Sequence, residues 1–304
     1  MASKSQVLIL FLSLLTVSSV INPSQSAKIV VSWGQNTASK EGTLAEACDS
    51  DLYDIVALAY LHVSGSTRSL DFADHCSSEK CKALASQIQH CQSKGKQVLI
   101  SVEIDNVAAP DYLAEYLYNN FLSGQDGPLG AVTLNGINIA NIDYSSEPWV
   151  DLVEAIYSYS TQDKKIYISA SPRCSITAFD SAIATGHVDY LWVLFYGQYE
   201  SCEYLGNDDY TGLINSWSKW TSKKGVADGS VFLGLVPSND TAAASYGYIK
   251  PQDLNSKVLP IVKESPKYGG VMLWNRYYDK ITGYSTKIDP AGSKGFNSLL
   301  AKSA

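Results

Sequence analysis

Five aromatic residues, Trp33, Tyr60, Phe195, Tyr196 and Trp274, stand at or just past the ends of short apolar runs. Polar residues fall at equivalent places: Gln35 and Asn36, Glu103 to Asn106, Asn138 to Asp143, and Ser171. Flat rings gathered in this way suit stacking against the apolar faces of sugar rings. Any one of them also reads as an ordinary core filler, so it is their gathering at several run ends that carries the signal.

Cysteine supplies the second set of reactive groups. Positions 48, 76, 81, 91, 174 and 202 make an even count of six. Three disulfides are expected if the chain enters an oxidising compartment, with 15 pairings open in principle. The short interval from Cys76 to Cys81 suits a local clasp. Cys174 and Cys202 lie far downstream of the others, which leaves Cys48 with Cys91. A zinc site is the rival reading, but no paired CxxC or HxxxH spacing occurs, and the histidines at 62, 75, 90 and 187 are scattered. No metal or other cofactor is expected.

The elements that must position these groups show as eight apolar runs: Ile29–Val31, Ile55–Leu61, Val98–Val102, Gly136–Ile142, Ile166–Ser169, Tyr190–Phe195, Val231–Val236 and Gly270–Trp274. They begin about 34 residues apart on average, the length of one strand–helix–strand unit. Between them lie segments of helical spacing: Leu113, Tyr116, Leu117 and Phe121; Leu152, Ile156 and Tyr159; Leu254, Val258 and Ile261. Buried strands alternating with amphipathic helices predict an α/β fold, a single (β/α)8 barrel with its site on the loops after the strands. The alternative, a doubly wound sheet, lacks a GxGxxG turn after the first run, where the chain reads SWGQN.

Ahead of the barrel, Lys4 precedes the apolar run Val7 to Leu15 and a small, polar stretch ending near Ala27, the pattern of a secretory signal over residues 1–26. The run is too short to span a bilayer, which needs about 20 apolar residues. Residues 27–304 then form the barrel domain of a protein that is secreted, to the cell exterior or a vacuole. With 23 basic against 30 acidic residues, the net charge of −7 offers no counter-charge to a phosphate backbone, so nucleic acid is disfavoured as a partner, as is a membrane. Asn239-Asp240-Thr241 is a single glycosylation sequon.

Collinear motifs run along the chain: VSWGQN, EGTLAEACDSDLY, HCQSKGK, LNGIN, SPRC, WVLFY, SWSKW, FLGL and SPKYGGVMLWNRYYDK. In this order they resemble the plant class III chitinases, the hevamine-like members of glycoside hydrolase family 18, over essentially all of residues 28–290. The resemblance implies a (β/α)8 barrel, a cleft for N-acetylglucosamine-containing oligosaccharides and the disulfides 48–91, 76–81 and 174–202. The MLWNRYYDK ending is also similar to the cereal xylanase inhibitor proteins, which implies a microbial glycanase as an alternative partner.

Hydrolases of that family carry DGxDxDxE on the fourth strand. A carboxylic acid there protonates the glycosidic oxygen while the substrate's acetamido oxygen, oriented by a neighbouring Asp, attacks the anomeric carbon. This chain reads Asn135-Gly136-Ile137-Asn138-Ile139-Ala140-Asn141-Ile142-Asp143. Period-two alternation without a gap turns Asn138, Ala140 and Ile142 inward, with no carboxyl among them. One extra residue at Ala140 would need a β-bulge and would change the inward set to Asn138, Asn141 and Asp143, making Asp143 a shortened fallback acid. Other departures agree: Ser32 replaces a Tyr, Glu103-Ile104-Asp105-Asn106 replaces a glycine-rich turn, and Leu194 replaces a Gln. Tyr196 and Trp274 match the family's sugar-contacting residues, and Tyr60 adds a third ring. The expectation is a chitinase-like protein without catalytic acids that binds a carbohydrate or inhibits a glycanase, the alternative being an acidic endochitinase acting through Asp143.

Overall fold

The computed structural model describes residues 27–292 apart from 78–80, 107–108, 143–147, 199, 207 and 241–245. The segment read as a signal, residues 1–26, lies outside them.

Each apolar run becomes a barrel strand: β1 Lys28–Trp33, β2 Ile55–Ser64, β3 Gln97–Asn106, β4 Gly136–Ile142, β5 Tyr167–Pro172, β6 Tyr190–Leu194, β7 Val231–Leu235 and β8 Tyr268–Leu273. Neighbours in sequence pair in parallel, and β1 pairs with both β2 and β8, which closes the sheet on itself. A short strand, Thr67–Leu70, folds back antiparallel on the end of β2.

Strand alternation divides the core into two layers. Val30, Ile55, Ala57, Leu99, Trp192, Phe232 and Met272 fill the lumen. Their sequence neighbours Val31, Val56, Ile100, Leu191, Val193, Leu233 and Val271 face outward beneath the helices. Those helices are α1 Leu44–Asp49, α2 Leu84–Ser93, α3 Pro110–Leu117, α4 Trp149–Tyr157, α5 Asp180–Ala184, α6 Thr211–Thr221, α7 over 251–262 and α8 Arg276–Thr282. In α4 the buried set is Trp149, Leu152, Val153 and Ile156, one stripe at i, i+3, i+4 and i+7. Each such side chain contributes about 1.5–3 kcal/mol on burial. Thr43 starts α1 with a capping box, its side chain accepting from the Glu46 N–H while the Glu46 carboxylate accepts from the Thr43 N–H.

The N-terminal end of the barrel is stapled in a repeating way. Asp54, Asn135 and Asp189 immediately precede β2, β4 and β6. Their side chains accept from the N–H of the second residue of each preceding strand, Ile29 at 2.8 Å, Val98 at 2.8 Å and Ile168 at 2.9 Å.

All three disulfides form as expected, Cys48–Cys91, Cys76–Cys81 and Cys174–Cys202. The first ties α1 to α2 and the last ties the end of β5 to the loop after β6. Among the described residues no helix is long and apolar enough to cross a membrane.

Candidate functional site

The C-terminal ends of the strands enclose a small central cavity of about 10 Å³. Its walls are Ser32, Tyr60, Ser101, Asn138, Ala140, Ser171, Leu194, Tyr196, Met272 and Trp274. A cavity of that size holds at most one water.

Two irregularities shape this mouth. On β2, Ala59 pairs with Ser101 and Leu61 with Val102, so Tyr60 is an extra residue thrown out of the ladder. Its N–H and C=O are satisfied by Asp71, at 2.8 and 2.9 Å. The Gln35 amide donates to the Ala59 and Asp71 carbonyls and pins the same segment. The freed Tyr60 ring stacks on Trp274, centroids 5.7 Å apart and planes 24° from parallel. The Ala59–Tyr60 and Trp274–Asn275 peptide bonds are cis.

The second irregularity lies on β4. Ile139 pairs with Ala170 and Ile142 with Pro172, so Ala140 and Asn141 together span the interval that Ser171 alone spans on β5. This bulge overturns the ungapped register. Ile142, expected to face the mouth, instead joins Ile137 and Ile139 in the outer apolar layer, because the extra residue moves every later side chain to the opposite face. Ala140 does face the mouth, in contact with Ala59, Tyr60 and Trp274. Asp143 lies outside the described residues, and so does the side chain of Asn141.

Asn138 is the hub of the floor, 2% exposed. Its Nδ2 donates to Ser101 Oγ at 3.2 Å, and its Oδ1 accepts from Ser169 Oγ at 3.1 Å and Ser171 Oγ at 2.9 Å. The amide is thereby fixed by three hydroxyls and offers neither a titrating proton nor a negative charge. Sequence reasoning picked out Ser171 but missed Ser101 and Ser169. The signal for Ser169 was available, because it stands two residues before Ser171 on β5 and so shares its face.

Tyr196 follows β6, half-buried between the lumen residues and Val236 and Tyr278. Burial pushes its phenol well above the usual range, and the nearby Tyr60 and Glu203 add to the shift. Gly247 permits the loop over it: a Cβ there would stand 2.5 Å from Tyr196 Cα. Leu194 and Ser32 line the cavity as ordinary wall residues. Glu103, in the segment that replaces the glycine-rich turn, is not a wall of the cavity. Its carboxylate lies 2.8 Å from His62 Nδ1 at the outer rim, with Asp71 4.0 Å from His62 Nε2.

The candidate residues thus separate. Tyr60, Tyr196, Trp274, Asn138 and Ala140 converge on the mouth, and Ile142 does not. Among the described residues, one cluster of metal-ligand type, Cys174, Glu200 and Cys202, has both sulfurs in the disulfide and cannot ligate through them.

No protein-family model matches the chain. An acidic endochitinase of Cicer arietinum is 40% identical over 291 residues, covering 91% of this chain and 96% of the relative. Among solved structures, the tamarind chitinase-like lectin is 33% identical with a TM-score of 0.77, over 86% of this chain and 99% of that one. The xylanase and α-amylase inhibitor protein from Scadoxus multiflorus is 31% identical with a TM-score of 0.77, over 86% of this chain and 98% of that one.

Proposed function

The chain belongs to the plant chitinase-like proteins of glycoside hydrolase family 18, and from that premise we propose that it is a non-hydrolytic, secreted carbohydrate-binding protein. The observation that carries this reading is the floor of the mouth. Where the family's chemistry calls for ionisable acids, Asn138 is a neutral amide locked by three serines, and Ala140 presents a methyl group. Among the described residues, the small cavity at this floor has space for one water and not for a sugar ring. What remains is a shallow aromatic platform of Tyr60, Trp274 and Tyr196, which suits stacking of a sugar face without bond cleavage. Secretion, to the exterior or a vacuole, is supported by the leader-like segment 1–26 and by three disulfides in a chain without free cysteines among its described residues. The similarity to a xylanase and α-amylase inhibitor supports a microbial glycanase as a second type of partner.

A second reading is favoured by the bulge on β4, because it is the register in which Asp143 was assigned as a shortened acid. Under that reading the protein is a slow acidic endochitinase, impaired about 10²-fold by the shorter side chain. Incubation of the purified protein with an N-acetylglucosamine hexamer separates the two. The expected result is no cleavage, with binding that weakens in Trp274→Ala. Cleavage abolished by Asp143→Asn would establish the second reading in place of the first.

A further inference from the structure

The turn after β1 runs through Gly34, Gln35 and Asn36 into a single helical turn, Ala38–Glu41, which ends on a fully buried acid outside the mouth. The His75 side chain, 4% exposed, meets this Glu41 with Nε2 2.9 Å from Oε2. The same Oε2 accepts from the Gly34 and Asn36 N–H groups, both at 3.2 Å, while Oε1 is buried without a hydrogen-bond partner. Taking a carboxylate out of water is costly, and leaving one oxygen unpaired adds to the cost. A group this unfavourable calls for something that it holds in place.

What it holds is the backbone on either side of Gln35. Two N–H groups bound to one oxygen fix the residue between them and the direction in which its side chain leaves the turn. Gln35 then has both amide hydrogens committed, since Nε2 donates to the Ala59 carbonyl at 2.8 Å and to the Asp71 carbonyl at 3.1 Å. Those carbonyls flank the extra residue of β2: Ala59 precedes Tyr60, and Asp71 exchanges both backbone hydrogen bonds with it. The turn comes this close because residue 34 is glycine. Its φ is +111°, and a Cβ there would lie 2.9 Å from the Ala59 oxygen. On the other side the turn is backed by the His75 ring, 4.1 Å from that of Trp33.

A relay therefore runs from Glu41 through the turn and the Gln35 amide to Tyr60, whose ring stacks on Trp274. Tyr60 stands outside the β2–β3 ladder, so pairing with β3 does not set the direction of its ring. That direction depends on what grips the segment from outside, and Gln35 grips it at two carbonyls.

We infer that Glu41 and Gln35 are positioning residues of the aromatic platform: the buried carboxylate fixes the turn, and the Gln35 amide sets Tyr60 over Trp274, neither side chain touching the ligand. The inference rests on the reading of that platform as the carbohydrate site and deepens it.

Calorimetric titration with the N-acetylglucosamine hexamer, together with near-ultraviolet circular dichroism of the free protein, tests it. The difference in dichroism between wild type and Tyr60→Ala defines the contribution of the Tyr60–Trp274 stack. Gln35→Ala and Glu41→Ala are expected to lose most of that contribution and to weaken the hexamer about tenfold, the upper end of what one aromatic contact supplies. In a Tyr60→Ala background the same substitutions are expected to change the affinity by less than about twofold, the scatter of independent sites. Gln35 is half-buried and its substitution spares the bonds to Glu41, so Gln35→Ala carries the test should Glu41→Ala fail to fold. Weakened binding with the stack contribution intact, or a further loss of affinity in the Tyr60→Ala background, would mean that Gln35 meets the sugar itself and would overturn the inference. Unchanged affinity and unchanged dichroism in Gln35→Ala would overturn it as well. If the wild type binds no hexamer while Gln35→Ala loses the stack contribution, the positioning stands and the carbohydrate reading falls.

Discussion

At the N-terminal end of the barrel, Asp54, Asn135 and Asp189 repeat one device before alternate strands, each accepting from the N–H of the second residue of the strand before it. At the C-terminal end, three strands instead carry an extra residue, Tyr60 on β2, Asp105 on β3 and one within Ala140-Asn141 on β4. The base has one such shift, at Gly269 on β8, a residue without a side chain to redirect, and elsewhere its groups serve strand pairing and closure. The mouth is irregular because each bulge redirects side chains, swinging Tyr60 over Trp274 and moving Ile142 out of the lumen. Regular alternation is therefore a dependable guide to the base of this barrel and a misleading one at its rim.

The sharpest way to break that contrast is to place a charge at position 142. If Ile142 lay in the mouth, as ungapped alternation predicts, Ile142→Glu would put a carboxylate beside a solvent-reached cavity at little cost. In the outer layer, 1% exposed beside Ile137 and Ile139, the same change buries an unpaired charge. A loss of about 3–5 kcal/mol is expected in urea or guanidinium unfolding, the range for an uncompensated buried ion. A loss below about 1 kcal/mol would mean that the bulge is absent. Asn138→Asp at the true lumen position should be milder, since three hydroxyls stand ready to donate to the new carboxylate.

These two positions also show what a sequence can disclose here. The eight strands, their helices and the three disulfides were legible because burial stripes and cysteine spacing survive any local shift. The aromatic platform was legible too, since Tyr60, Tyr196 and Trp274 sit at run ends whichever register holds. The assignment of Ile142 was not, because one inserted residue changes the face of every side chain after it, and nothing in the letters NIANI marks which residue is inserted.

A smaller effect is expected at the staples of the base. Asn135 accepts from Val98 N and from Gln92 Nε2, at 2.8 and 3.0 Å, in a part-buried position. Asn135→Ala should cost about 1–3 kcal/mol, the penalty for stranding a buried donor. Asp54 makes the equivalent bond at an exposed edge, where water can replace it, so Asp54→Ala should cost about 1 kcal/mol or less. Equal losses at the two sites would show that the staples act through strand closure itself and not through satisfaction of individual N–H groups.

The smallest effect at neutral pH, and one that again sets base against mouth, concerns two phenols. Tyr190 lies at the base, where burial pushes its hydroxyl up to about 12, the Tyr167 and Asp189 charges adding to the shift and a hydrogen bond to Gln97 opposing it. Tyr196 lies at the mouth and is driven well above the ordinary value, mainly by burial. In both cases the folded group holds its proton more tightly than the unfolded one, whose phenol ionises near 10. The associated stability is therefore fully present below pH 10 and is lost as pH rises, because the unfolded chain releases its protons first. For Tyr190 the loss is complete near pH 12, whereas for Tyr196 it continues beyond. Tyr190→Phe should change stability by less than about 1 kcal/mol at pH 7, since its bonds to Gln97 and Lys28 are long, at 3.3 and 3.4 Å. The same variant should flatten the decline between pH 10 and 12, and Tyr196→Phe should flatten it chiefly at higher pH. Denaturation series across that range, read with the ultraviolet absorbance of phenolate, measure both. Ionisation of Tyr190 near 10 in the folded protein would show that water reaches the base of the barrel freely, in contrast to the buried phenol at the mouth.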